Sequence, residues 1–160
     1  MSEGGAQAAP PRARGDLLDV NVWLALAIEE HVHHQSAAAY WSRTAGSTRY
    51  FCRLSAISLV RLLMQPKLMG DRALALPTAW ALYRSFSDLP GVAMLAEPMG
   101  IDAALDDLVR SKLPSRLFTD AYFAALARSA GVRLVTFDKD FERFDGLSRL
   151  RLTVAEARSP

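Results

Sequence analysis

The chain has 160 residues, of which 51% are apolar and 22% are charged, a balance typical of a globular domain and not of a disordered chain. This length favours one domain with its own core over two domains. The net charge of +2 is too small to indicate nucleic-acid binding by itself. A single cysteine, Cys52, excludes an internal disulfide and a cysteine-rich zinc site.

Residues 1–15 contain mostly Gly, Ala, Pro and Arg, without apolar periodicity, and lack the apolar core of a signal peptide. They predict a disordered leader, followed by one domain at residues 16–155 and a short tail at 156–160. No apolar run approaches the roughly 20 residues that span a bilayer. We therefore expect a cytoplasmic protein with no membrane segment.

In the first half of the chain, short apolar runs alternate with helical patterns. A strand is predicted at 17–20 and a helix at 22–27, and a second helix runs from His33 to Gly46. The aromatic run at 50–54 predicts the next strand. Ser55 is predicted to cap the following helix, which Pro66 must end.

The second half continues the alternation. Helices are predicted at 78–86, 101–111 and 120–130, the last capped by Thr119 and ended by Gly131. Strands are predicted at 91–95, 132–136 and 150–154. Strands separated by helices indicate right-handed crossovers, so the fold class is α/β, with a parallel sheet covered by helices on both faces.

Polar side chains gather where two predicted strands end. Asp19 ends the first strand and Asn21 comes two residues later, Thr136 and Asp138 end the fourth, and Asp120 begins a helix whose preceding loop approaches the same edge. Three convergent aspartates indicate a site for a hard cation such as Mg²⁺ or Mn²⁺. The alternative is that two of them end strands and that Asp120 only favours its helix dipole.

Three segments, residues 17–24 (LLDVNVWL), 119–125 (TDAYFAA) and 134–141 (LVTFDKDF), resemble in order the motifs of PIN-domain ribonucleases. They are most similar to VapC toxins of bacterial VapBC toxin–antitoxin modules, and the resemblance covers residues 16–155. It implies a three-layer PIN-like fold with the sheet order 3-2-1-4-5. It also implies that the order reverses between the first and fourth strands, beside the predicted aspartates.

The resemblance also implies roles for individual residues. The catalytic, metal-binding acids map onto Asp19, Asp120 and Asp138, and the supporting polar positions onto Asn21, Ser55 and Thr136. PIN domains usually carry a second acid at the start of the third helix, where this chain has Ala56. Asp140 and Glu142 are candidates to compensate for that acid, and Arg53, Arg61 and Lys139 are candidates to contact RNA, alongside Lys112 and Arg116.

The function implied is a Mg²⁺-dependent endoribonuclease toxin, with Mn²⁺ as a substitute, that hydrolyses RNA phosphodiesters in tRNA or rRNA. A VapB-type antitoxin would neutralise it, and we expect a homodimer or a hetero-oligomer with that antitoxin. One alternative is a weakened protein that binds RNA or antitoxin but lacks the acid at Ala56. Another is cleavage of a different phosphodiester, because the same acids could serve it.

The remaining candidates have simpler interpretations. His31, His33 and His34 could form a metal site, but no Cys or carboxylate pair frames them apart from Glu29 and Glu30 just upstream. The resemblance to VapC-like proteins, which carry a similar histidine cluster, implies a role at the start of the helix or in facing RNA. Cys52 is interpreted as a small buried apolar residue and not as a catalytic thiol. The three tryptophans are expected in the core or on a partner-facing surface.

Overall fold

The computed structural model describes residues 14–154, whose five strands form one parallel sheet in the order β3-β2-β1-β4-β5. This confirms the predicted α/β class and strand order. The predicted leader lies outside the described residues except for Arg14 and Gly15, and the tail lies wholly outside them. The strands are short: β1 Asp16–Leu18, β2 Arg49–Phe51, β3 Val92–Met94, β4 Arg133–Thr136 and β5 Arg149–Arg151.

Seven α-helices connect and cover the strands in the described part of the chain. Their bounds are α1 Val20–Ala27, α2 His34–Arg43, α3 Arg53–Leu63, α4 Pro66–Met69, α5 Leu76–Ser87, α6 Ile101–Arg110 and α7 Phe118–Ala130. Within residues 14–154, no helix is both long enough and apolar enough to cross a membrane.

The central strand β1 is buried on both sides and supplies one residue to each of two cores. Leu17 pairs in register with Leu134 of β4, and both belong to the core beneath α7. Leu18 pairs with Val135, and both belong to the core on the other face, with α1, α3 and α5. This alternation explains why β1 and β4 are continuous apolar runs, as expected for strands with helices on both faces.

Two predicted helix starts are wrong by a few residues. Helix α3 begins at Arg53 with Cys52 as its N-cap, so Ser55 lies in its first turn and is not the cap. Helix α7 begins at Phe118, so Thr119 lies inside it. In both cases the helix begins before the predicted capping residue: Cys52 and Ser55 cap α3 together, and Leu117 precedes α7 without a side-chain cap.

The start of α3 is held by reciprocal contacts between Cys52 and Ser55. The Ser55 hydroxyl accepts a hydrogen bond from the Cys52 amide at 3.0 Å, and the Ser55 amide donates to Cys52 Sγ at 3.4 Å. Both residues are buried, which raises the pKa of the Cys52 thiol by desolvation. Cys52 is thus a buried thiol, as predicted, although it follows β2 and does not lie within the strand.

A buried ion pair stands at the amino-terminal edge of the sheet. Asp16 accepts two hydrogen bonds from the Arg133 guanidinium, both at 2.8 Å, and a third from the Tyr40 hydroxyl at 2.6 Å. Its side chain is 5% exposed, whereas that of Arg133 is 37% exposed. These contacts join β1, β4 and α2.

Tryptophans occupy both the core and the surface. Trp23 is fully buried and stacks on Phe51, with ring centroids 3.7 Å apart. Trp41 is partly buried beside it. Trp80 is 44% exposed, so of the three it is the surface residue.

Candidate functional site

Asp19 lies where β1 ends and α1 begins, at the carboxyl edge of the sheet. It is the N-cap of α1, and its Oδ1 accepts from the Val20 amide at 2.7 Å. Its Oδ2 accepts from the Thr136 hydroxyl, also at 2.7 Å. The Asp19 carboxylate is therefore buried and fixed at both oxygens, and its remaining lone pairs are available to a further partner.

Thr136 connects two of the predicted acids. Its hydroxyl donates to Asp19 and accepts from the backbone amide of Asp138 at 3.0 Å. The predicted supporting residue Asn21 lies on α1, and its Oδ1 is 3.5 Å from the amide of Phe137. The end of β4 is thus tied to the start of α1 by polar side chains.

Asp120, Asp138 and Asp140 form a compact acidic group. Each offers one carboxylate oxygen, and these three oxygens all lie within 4.8 Å of one another. Asp120 is in the first turn of α7, whereas Asp138 precedes a short 3-10 helix and accepts from the Asp140 amide at 2.8 Å. Asp19 lies beside this group, close enough that the charges of Asp120 and Asp138 raise its pKa.

Two of these aspartates, Asp19 and Asp120, have a raised pKa in this arrangement. Burial raises the pKa of Asp19 to about 6, the charges of Asp120 and Asp138 add to the rise, and the hydrogen bonds from Thr136 and Val20 oppose it. Burial also raises the pKa of Asp120 to about 6, and the charges of Asp138 and Asp140 add to that rise. Positive charge placed among these carboxylates would favour their ionised forms.

Basic side chains lie around the acids. Arg116 Nη1 is 3.0 Å from Asp140 Oδ2, and its charge and that of Arg143 lower the pKa of Asp120. Sequence reasoning placed Arg116 near the acids but missed its contact with Asp140, and it missed Arg143 altogether. The spacing of Arg143 from Asp140 along one short helix was the available signal for it.

The other predicted residues are placed as follows. Arg53, Arg61 and Lys139 are exposed, as an RNA-contacting role requires. Glu142 is exposed and pairs with Arg151 at 2.6 Å, outside the acidic group. Of the two candidates to compensate for a missing acid, the structure brings only Asp140 to the site.

Ser55 and Ala56 lie at the start of α3 and are both buried. The Ser55 hydroxyl is engaged by the backbone of Cys52. Ala56 is 1% exposed and belongs to the apolar core that also contains Leu18 and Trp23. Position 56 therefore contributes to core packing and supplies no carboxylate.

The histidines support the start of α2. His34 Nδ1 lies 2.7 Å from the Ala25 carbonyl oxygen, and His31 Nδ1 accepts from the His33 amide at 3.1 Å. The His33 ring stacks on Phe137, with ring centroids 4.3 Å apart. Within residues 14–154, the one group with three metal-ligand atoms close together is the aspartate group, so the three histidines do not form a metal site there.

The residues at this edge fit a divalent cation. Carboxylate oxygens are the donors that hard cations prefer, and three of them already lie close together. Burial first, and the neighbouring aspartate charges second, raise the pKa of Asp19 and that of Asp120, and a bound cation would oppose both rises. The arrangement can therefore hold a cation at the carboxyl ends of β1 and β4, between which the strand order reverses.

Comparisons with known proteins agree with this geometry. The family model described as "PIN domain" matches residues 17–147. Ribonuclease VapC41 of Mycobacterium tuberculosis is 38% identical over 143 residues, covering 85% of this chain and 97% of that protein. Ribonuclease VapC38 of the same organism is 34% identical over 122 residues, covering 76% of this chain and 84% of that protein.

Solved structures share the fold. The crystal structure of VapC20 of Mycobacterium tuberculosis, described as a sarcin–ricin-loop-cleaving toxin, has a TM-score of 0.62 at 20% identity, covering 80% of this chain and 93% of that chain. That of VapBC2 of Rickettsia felis, bound to a promoter DNA fragment, has a TM-score of 0.66 at 12% identity, covering 86% and 98%. The family-model match and the VapC41 relative show that this chain belongs to the PIN-domain family and, within it, to the VapC group.

Proposed function

We propose that this protein is a metal-dependent endoribonuclease toxin of a VapBC module. The single observation that carries the proposal is the acidic group of Asp120, Asp138 and Asp140, with the buried Asp19 beside it. The relatives named as ribonucleases, which match most of the chain, support RNA as the substrate. Asp19, Asp120 and Asp138 are the proposed catalytic residues, and Asp140 joins them as a ligand.

These four aspartates would hold Mg²⁺, or Mn²⁺ in its place. A divalent cation bound by carboxylates lowers the pKa of water and neutralises negative charge on a phosphodiester, which is the chemistry that hydrolysis needs. The protein itself supplies rigid positioning. Thr136 fixes Asp19 and the backbone of Asp138 at once, so these two acids cannot move independently.

We propose that exposed basic side chains form the positive rim that RNA binding requires. Arg53, Arg61 and Lys139 are exposed, and we propose that they contact backbone phosphates. Phosphate contacts of this kind position a strand without reading its sequence. We propose tRNA or rRNA as the substrate.

The partner we propose is a VapB-type antitoxin, with a homodimer or a toxin–antitoxin hetero-oligomer as the assembly. Support comes from the structural neighbours that are toxin–antitoxin complexes, among them VapBC-1 of nontypeable Haemophilus influenzae. Size-exclusion chromatography of the protein alone and with its antitoxin tests both parts of this proposal.

The alternative function, a protein that binds RNA or antitoxin without cleaving, arose from alanine at position 56. The presence of Asp140 in the acidic group weakens it, because Asp140 adds a carboxylate that position 56 does not supply. The cleaving protein is therefore the better supported of the two.

RNA cleavage tests the proposal directly. Total tRNA and rRNA are incubated with the protein in Mg²⁺, in Mn²⁺ and in EDTA, and the fragments are mapped. We expect discrete fragments that require metal and disappear with Asp120→Asn. The matched control is Asp71→Asn, which removes an exposed carboxylate outside the acidic group.

Two results would contradict the ribonuclease. One is cleavage by Asp120→Asn at the rate of the parent protein, which would identify a contaminating nuclease. The other is a folded parent protein that binds RNA and Mn²⁺ yet produces no fragments, which would favour the binding protein.

A further inference from the structure

Arg116 makes an ion pair with the acidic group from outside it. Its Nη1 lies 3.0 Å from Asp140 Oδ2, although the Arg116 side chain is 65% exposed and that of Asp140 is 26% exposed. Arg116 belongs to the short 3-10 helix Ser115–Leu117, immediately before α7, and Asp140 belongs to the 3-10 helix after Asp138. The pair thus joins the two segments that supply the acids.

Among the ion pairs within residues 14–154, this is the one that reaches Asp120, Asp138 or Asp140. An exposed pair contributes little to stability, because solvent screens it and the arginine loses side-chain freedom. Here the guanidinium contacts one member of a group of three aspartates, and its charge, like that of Arg143, also lowers the pKa of Asp120. The positive charge of Arg116 therefore reduces the repulsion among the aspartates of the acidic group.

We propose that Arg116 is the internal counterion of the acidic group, and that a divalent cation must displace it from Asp140 to bind. The proposal rests on the function proposed above, in which Asp140 is a metal ligand. Displacement leaves the Arg116 guanidinium free and exposed beside the site, where it can contact a phosphate of the bound RNA. Arg116 is therefore a positioning residue that lowers metal affinity before metal binds and contributes to RNA binding afterwards.

The first test measures Mn²⁺ binding by calorimetry, without RNA, for the parent protein and for Arg116→Gln. Removing the competing charge should tighten Mn²⁺ binding by about threefold to tenfold, the effect of one unit charge near a divalent ion in a largely solvated site. Arg116→Lys keeps the charge and should bind Mn²⁺ as the parent does. Arg84→Gln is the matched control, because Arg84 forms a 2.8 Å exposed pair with Asp88 on α5.

The second test measures RNA binding at saturating Mn²⁺, with a short phosphorothioate RNA that keeps its charge and resists hydrolysis. If Arg116 contacts one phosphate, Arg116→Gln should reduce the slope of log affinity against log salt by about 0.7, the value for one contact on a single strand. Arg84→Gln should leave the slope unchanged.

The outcomes separate this inference from the proposed function. If the parent protein does not bind Mn²⁺, or if Asp120→Asn binds it as the parent does, the proposed metal site itself is wrong. If the parent binds Mn²⁺ at that site but Arg116→Gln binds it equally or more weakly, the displacement of Arg116 is overturned while the metal site stands. An unchanged salt slope would overturn the phosphate contact.

Discussion

At the scale of single residues, the surroundings of Asp19 and Asp120 disfavour the ionised form of each carboxyl. The pKa of Asp19 and that of Asp120 are both raised to about 6, first by burial and then by neighbouring aspartates. Since these carboxyls bind protons more readily in the folded chain than at their ordinary pKa of 3.8, they stabilise the fold at low pH. That contribution is lost as the pH rises through about 6.

We therefore predict that Asp120→Asn raises the melting temperature of the metal-free protein at about pH 7.5, and that this gain shrinks towards about pH 5 as the parent carboxyls become protonated. Added Mn²⁺ should stabilise the parent more than the variant. Thermal unfolding in EDTA and in Mn²⁺ at both pH values measures this. Equal responses to Mn²⁺ in the two proteins would contradict a shared cation site that includes Asp120.

At the scale of elements, the start of α3 shows that a residue expected to support the site also holds the start of a helix. The Ser55 hydroxyl accepts from the Cys52 amide and donates to the Cys52 carbonyl, both at 3.0 Å, and is fully buried. The first turn of a helix has free amide groups, and this contact pairs one amide at the junction of β2 and α3.

Ser55→Ala should lower the free energy of unfolding by about 1–2 kcal/mol, because it leaves the buried Cys52 amide without its partner. The affinity for Mn²⁺ should not change. Chemical denaturation and calorimetry measure the two quantities, with Ser58→Ala on the same helix as the control. A stable Ser55→Ala protein with impaired Mn²⁺ binding would instead support the role that the family resemblance implied.

At the scale of the whole molecule, the two edges of the sheet have separate tasks. The carboxyl edge carries the aspartates, and the amino edge carries the buried pair between Asp16 and Arg133, with Tyr40 as a third partner. At the amino edge the Asp16 carboxylate has a positive partner in Arg133. At the carboxyl edge the grouped aspartates raise one another's cost of ionisation, which fits the cation site proposed above.

Asp16→Asn should reduce the free energy of unfolding by about 2–3 kcal/mol, since it removes the charged acceptor of three hydrogen bonds. The folded variant should bind Mn²⁺ with the affinity of the parent. Asp88→Asn, which breaks the exposed pair with Arg84, should cost less than about 1 kcal/mol under the same denaturation. A loss of Mn²⁺ affinity in folded Asp16→Asn would show that the two edges are coupled.

The sequence predicts those features of the molecule that are set by local patterns and motifs, and fails for those set by contacts between separate residues. The parallel α/β class and the shared edge of Asp19, Asp120 and Asp138 follow from apolar runs and helical spacing, whereas the strand order follows from the family resemblance. The structure has that order and places Asp19 beside Asp120 and Asp138. The start of α3 was misplaced because it depends on the contact between Cys52 and Ser55 across a turn.

Long-range ion pairs were beyond the sequence for a related reason. Arg116 and Asp140 lie 24 positions apart, and Asp16 and Arg133 lie 117 positions apart, so no local spacing indicates which of many charges will meet. The same holds for Ala56, whose apolar surroundings come from helices and strands distributed over much of the chain.

The buried thiol has a practical consequence. Cys52 is the single cysteine of the sequence and stands at 1% exposure between β2 and α3, so a thiol-modifying reagent can reach it only after that junction opens. The rate at which such a reagent labels the native protein therefore measures how often the junction between β2 and α3 opens locally. Because the sequence has no other thiol, the labelling rates with and without Mn²⁺ would show whether a cation bound at the carboxyl edge slows the local opening of this junction.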